Sequence, residues 1–133
     1  MEKIKCICVM RELFKALSAL EASLEGTYGL SLNEAMVLCS IGNETVAASV
    51  IVERTGMRAS HTSKVIRAVE DKGYLFRTLG KKDKRQMYFS LTAKAKECLA
   101  DIKEKGVDVP ELLVPLFKDY AAVGDCENLN ENE

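Results

Sequence analysis

Tryptophan is absent from this 133-residue chain, two residues are proline and one is histidine. A lone histidine closes most routes to catalysis, because the neighbours of His61, namely Ser60, Thr62 and Ser63, supply neither a base nor a group to orient one. Zinc takes about four nitrogen or sulfur ligands, and no second cysteine pair accompanies Cys6-x-Cys8. Glycine-rich phosphate loops are missing, so nucleotide chemistry has no cradle. Charges interrupt every apolar run before it reaches the roughly 20 residues that span a bilayer. The opening MEKIKCICVMRELF lacks the apolar stretch and cleavage site of a secretory signal. The expectation is a cytoplasmic protein, not an enzyme, with no metal, cofactor or membrane partner. What is abundant is apolar: 47% of the residues, enough for one helix-rich domain with its own core.

The most informative stretch runs from Ser49 to Thr92. Ser49–Thr55 starts on a residue able to cap a helix and stops at Gly56, which can take the left-handed conformation that opens a tight turn. A second helix, Ala59–Lys72, repeats Thr62, Val65, Ile66 and Val69 at i, i+3, i+4, i+7, which builds one buried face. Ser60, His61, Ser63, Lys64 and Arg67 are left on the other face. After Gly73 the period changes to two. Tyr74–Leu79 and Gln86–Leu91 flank the polar tip Gly80–Arg85, the pattern of a β-hairpin. The expected fold class is mainly α with a small β-hairpin (α+β), a winged helix-turn-helix. Such a shape can set a helix in a major groove and a hairpin tip beside the backbone or minor groove.

Charge supports the same reading. The chain carries a net charge of only −1, yet Arg54 to Arg85 holds ten Lys or Arg against Glu70, Asp71 and Asp83, a local +7 that leaves −8 for the remainder. That polarity can offer phosphate a cationic face while the other faces stay acidic. On charge alone, lysines and arginines that merely solvate the surface remain an equal alternative.

Residues 49–92 resemble the winged-helix core of the MarR family of bacterial transcriptional regulators. The likeness is carried by Glu53-Arg54-Thr55-Gly56, Ser60, Ser63-Lys64, Glu70-Asp71-Lys72-Gly73 and, most specifically, Asp83-Lys84-Arg85 followed by Ser90-Leu91-Thr92. The resemblance implies double-stranded DNA as partner and Ala59–Lys72 as recognition helix. Ser60, His61, Ser63, Lys64 and Arg67 would then read base edges, and Lys81, Lys82 and Lys84 would hold phosphates. Arg85 would be the minor-groove arginine, with Asp83 orienting it; a carboxylate two residues away can hold a guanidinium fork in one pose. Arg58 departs from the family pattern, where a small helix-capping residue is usual, and a phosphate contact is its functional alternative. The resemblance also implies a homodimer, a repressor and a small-molecule effector.

The flanks follow from periodicity and caps. Met1–Glu25 reads as one amphipathic helix whose stripe (Ile4, Ile7, Cys8, Phe14, Leu17, Leu20, Leu24) is widened by Val9, Met10 and Leu13, more than a small domain usually buries. Gly26-Thr27-Tyr28-Gly29 breaks it. Ser31-Leu32-Asn33-Glu34 is a capping box opening a helix to Ile41, and Glu44–Ala47 is a candidate third strand. Thr92 caps a helix from Ala93 to about Lys105. Pro110 suits a first helical position, while Pro115 is expected to break or kink the apolar Glu111–Val123. The expected division is 1–30, a dimerisation helix; 31–92, the DNA-binding core; 93–123, a short C-terminal dimerisation segment; and 124–133, an acidic disordered tail. Two other readings stay open. A winged helix can serve as a protein-interaction module without DNA. Cys6 and Cys8 could make a thiol-based redox sensor, as in some MarR relatives, although positions i and i+2 do not face each other on a helix. Cys39 and Cys98 fall on apolar faces and read as core packing.

Overall fold

The computed structural model describes residues 2–121. Its elements are α1 (Cys8–Tyr28), α2 (Leu32–Ile41), β1 (Val46–Ala47), α3 (Ala48–Thr55), α4 (Ala59–Asp71), β2 (Leu75–Leu79), β3 (Met87–Leu91), α5 (Ala93–Lys105), a 3-10 turn (Glu111–Leu113) and α6 (Val114–Ala121). The apolar stripe of α4 closes as its spacing dictates: Thr62, Val65, Ile66 and Val69 are all buried. Val65, Ile66 and Val69 meet Val37, Leu38 and Ile41 from α2, Ile51 from α3 and Leu75, Phe89 and Leu91 from the sheet in one core. Leu38, Ile41 and Ile51 are fully enclosed, and each such side chain contributes about 1.5–3 kcal/mol through burial.

The sheet is antiparallel with order β1-β3-β2. Leu75 faces Leu91 and Arg77 faces Phe89, so one face of the hairpin looks into the core at its base, and toward the tip, where Leu79 faces Met87, it becomes exposed. The third strand is real but shorter than expected, only Val46–Ala47, paired with Phe89 and Tyr88. Tyr74 lies just before β2 and is buried; Thr92 and Gly73 tie the base of the hairpin, Thr92 Oγ1 donating to the Gly73 carbonyl at 2.8 Å.

The capping box at Ser31 forms in full. Ser31 Oγ accepts from the Glu34 amide at 3.1 Å, and Glu34 Oε1 accepts from the Ser31 amide at 2.8 Å. Thr92 likewise accepts from the Ala95 amide, and α5 runs Ala93–Lys105 as expected. Other boundaries differ from the sequence-based expectation. The first helix starts at Cys8 rather than Met1, and it continues through Gly26 and Thr27 to Tyr28. The break falls at Gly29, whose φ of 72° is left-handed. Ser49 does not cap α3: the helix begins at Ala48, fixed by the strand residue Ala47 before it, and has no side-chain cap. Pro110 stands ahead of the 3-10 turn rather than at a first helical position. The apolar stretch is not one helix: the 3-10 turn Glu111–Leu113 gives way to α6 one residue before Pro115, the break expected there. Pro115 is the second residue of α6, in the first turn, where a missing N–H leaves no intrahelical bond unmade. Residues 122–123 of the C-terminal segment, Cys126 and the acidic stretch 124–133 lie outside the described residues.

Beside the main core, α1 shares a small cluster with the described C-terminal residues: Ala16, Leu20 and Leu113, with Val107 and Val109 against them. Ile7, Val9, Met10, Leu13 and Phe14 of α1 and its lead-in are exposed, as are Leu112, Leu116 and Phe117.

Candidate nucleic-acid interface

Gly56, with φ 74°, turns the chain from α3 into α4. Thr62, buried, anchors the start of α4 by donating Oγ1–H to the Arg58 carbonyl at 2.8 Å. This fixes which side of the helix faces outward. Ser60, His61, Ser63, Lys64 and Arg67 are all exposed on that side. Ser63 Oγ donates back to the Ala59 carbonyl at 3.1 Å, so its hydroxyl retains only lone pairs for a partner. Arg58 occupies the N-cap position of α4 and makes no side-chain cap, which leaves its guanidinium outward.

At the wing tip the Gly80 amide donates to the Gln86 carbonyl at 2.8 Å and the Gln86 amide to the Asp83 carbonyl at 3.1 Å. A side chain at Gly80 would bring its Cβ to 2.6 Å of the Asp83 carbonyl oxygen, so the tight closure requires glycine. Asp83 Oδ1 accepts the Arg85 amide at 3.0 Å and lies 3.5 Å from Arg85 Nε. The carboxylate thus holds both the backbone and the root of the guanidinium of an arginine that is 95% exposed. Under the tip, a cavity of about 540 Å³ is lined by Thr45, Thr78, Gln86, Tyr88 and the two lysines Lys81 and Lys82.

Ion pairing sorts the cations of this region. Arg54 bonds Glu44 at 2.6 Å and the Ser40 carbonyl at 2.8 Å. Lys72 bonds Glu34 at 2.7 Å and the Gly29 carbonyl at 3.1 Å. Arg77 grips Glu70 through two bonds of 2.7 and 2.9 Å and lies 5.6 Å above the Phe89 ring. These three brace the fold. Among the described residues, the side chains of Arg58, Lys64, Arg67, Lys81, Lys82 and Lys84 make no hydrogen bond or ion pair, and Arg85 pairs only within the tip. The sequence count of ten cations could not make this division, because Glu34 and Glu44 sit outside the basic segment.

Glu34 is the most buried acid of the site. Burial raises its pKa, but bonds from Lys72 and Ser31 outweigh that and hold it below the ordinary carboxylate value. The hydrogen bond from Arg54 holds Glu44 low. His61 has a partner that sequence reasoning missed: Asn33 Nδ2 of α2 lies 2.9 Å from its Nε2. Asn33 stands inside a capping box, and no feature of the sequence marks it as facing another helix. Burial pushes the Cys98 thiol up, away from reactivity, in keeping with packing. Cys6, outside α1, and Cys8, its first residue, are exposed. Among the described residues no cluster of His, Cys, Asp and Glu could hold a metal ion, and no helix is long and apolar enough to cross a membrane.

Residues 30–95 match the family model of a winged helix DNA-binding domain, a family of DNA-binding proteins rather than enzymes. Among solved structures, the chain is similar to the transcriptional regulator BldR from Sulfolobus solfataricus, at 18% identity over 94% of this chain and 86% of that one, with a TM-score of 0.66. It is also similar to AbsC, a MarR family transcriptional regulator from Streptomyces coelicolor, at 18% identity over 80% and 77%, TM-score 0.65. MepR of S. aureus, solved in complex with DNA, aligns at 13% identity over 77% of each chain, TM-score 0.65. No curated protein sequence matches the chain. Residues 30–95 thus match a winged helix DNA-binding domain, and the chain has the fold of the MarR-type transcriptional regulators.

Proposed function

We propose that this protein is a cytoplasmic, homodimeric transcriptional regulator that reads double-stranded DNA with α4 in the major groove and Arg85 in the minor groove. The observation that carries the reading is the sorting of charge. The cations that brace the fold are paired with acids of other elements, whereas those on the outward side of α4 and the wing lysines have no partner among the described residues and Arg85 meets only Asp83 within the tip. Unpaired cations on a recognition helix and its wing are what phosphate and base edges require. Ser60, His61, Ser63, Lys64 and Arg67 serve base edges in this reading. Arg58, Lys81, Lys82 and Lys84 serve phosphates, and Asp83 presents Arg85. MepR, of the same fold, has been solved bound to DNA.

The homodimer is supported by the apolar surface that α1 and the C-terminal turn and helix leave uncovered: Ile7, Phe14, Leu112 and Leu116 are each more than half exposed. Two copies joined through those helices would present two recognition helices to two half-sites. Repression and a small-molecule effector rest on the MarR resemblance. A promoter–reporter pair with and without the protein reads the sign of regulation.

The test is binding to a duplex from the protein's own promoter against an unrelated duplex, with wild type and Arg85→Ala. Preference for the promoter, weakened in Arg85→Ala with melting and oligomeric state unchanged, is expected. Equal affinity for both duplexes sinks the sequence-reading role, and an unaffected Arg85→Ala sinks the wing role.

A further inference from the structure

His61 is the third residue of α4 and is exposed, in the part of a recognition helix that meets base edges. Its ring has one hydrogen-bond partner among the described residues. Asn33 Nδ2, from the second position of α2, lies 2.9 Å from Nε2. An amide nitrogen carries two hydrogens and accepts nothing, so Asn33 donates and Nε2 accepts. The single proton of the neutral imidazole then sits on Nδ1. Among the described residues Nδ1–H meets no acceptor, and the side chain of Asn33 makes no other hydrogen bond. In sequence the charged residues flanking His61 are Arg58, the N-cap of α4, and Lys64, three positions to either side, and the carboxylate next to Asn33, that of Glu34, is held by Lys72.

We infer that Asn33 is a specificity-positioning residue: by donating to Nε2 it locks His61 as a hydrogen-bond donor and commits this position of the recognition helix to a base acceptor. In the major groove guanine offers N7 and O6, adenine N7 and thymine O4 as acceptors, whereas cytosine offers only its N4 amino donor. An imidazole free to exchange tautomers would serve either polarity; the locked one refuses cytosine. Asn33 need not touch DNA to exert this selection. The inference rests on the proposed placement of α4 in the groove and adds the polarity of one contact within it.

Because the chain has one histidine, a long-range ¹⁵N spectrum reports this ring alone. Recorded at about pH 8, above the ordinary histidine range, wild type is expected to show a protonated Nδ1 and a bare Nε2. Asn33→Ala should shift the population toward the Nε2–H form that free histidine favours. Asn33→Asp, of the same shape but accepting only, should place the proton on Nε2. On the promoter duplex, a panel of single base-pair changes should reveal one position where Asn33→Ala lowers discrimination by roughly tenfold or less. Asn33→Asp should turn the preference at that position toward a base donor. In a His61→Ala background, Asn33→Ala should add nothing. Unaltered melting of Asn33→Ala separates these effects from misfolding. A wild type that prefers its promoter, with tautomer and base preference unchanged in Asn33→Ala, overturns this inference alone. A wild type that reads no DNA sequence overturns the recognition-helix reading and the assigned contact with it.

Discussion

α1 and α4 are both amphipathic helices with apolar residues every three or four positions, yet their stripes meet opposite fates. The stripe of α4 is covered by α2, α3 and the sheet, with Val69 and Thr62 at 0% and 1% exposure. Along α1 only Ala16, Leu20 and Leu24 are buried, while Phe14 stands 71% exposed. Periodicity says that a face is made to be covered, but not what covers it. For α4 the cover lies within the chain. For α1, most of the cover is missing among the described residues.

The contrast can be broken most strongly at the core. Leu38→Ala removes a fully buried side chain and should cost about 2–5 kcal/mol of folding stability, seen as a fall in the denaturant midpoint. Glu34→Ala comes next, because it removes half of a capping box and the partner of Lys72 together; about 1–3 kcal/mol is expected at neutral pH. Glu34 is held below the ordinary carboxylate value of 4.5. Its ionised form therefore contributes fully above that pH, and the contribution fades as pH falls through the lowered folded value. The stability gap between wild type and Glu34→Gln should shrink in acid; a gap that grows in acid would contradict the Lys72 pairing. Arg67→Ala should leave folding within about 0.5 kcal/mol and cost roughly 1–3 kcal/mol of promoter binding if its guanidinium meets a base. The smallest effect on folding is expected for Leu13→Ala on α1, within about 0.5 kcal/mol for the isolated protomer. The same change should weaken self-association in sedimentation, and a core-sized loss of stability with unchanged association would reverse the assignment of that face.

Elements with local causes were legible in the sequence. The Ser31 box, the Thr92 cap, the α4 stripe and the period-two hairpin each carry their reason within a few residues. The Asp83–Arg85 contact was expected from the MarR resemblance, and its two-residue spacing makes it a local one. What the sequence hid was long-range. Glu44 reaching Arg54, Glu34 serving both its cap and Lys72, and Asn33 meeting His61 join residues 10 to 38 positions apart. Neighbouring structure also overrode a local signal. Ser49 yielded its capping role to the β1–α3 junction.

The most direct test is the salt dependence of promoter-duplex binding, measured for wild type, Lys82→Ala and Arg77→Ala. If the unpaired cations form the DNA face, log affinity should fall linearly and steeply with log salt. Lys82→Ala should make that slope shallower by about one. Arg77→Ala, whose guanidinium is committed to Glu70, should leave it unchanged. A flat salt response, or equal losses from Lys82→Ala and Arg77→Ala, would contradict the division of this surface into bracing and DNA-facing cations.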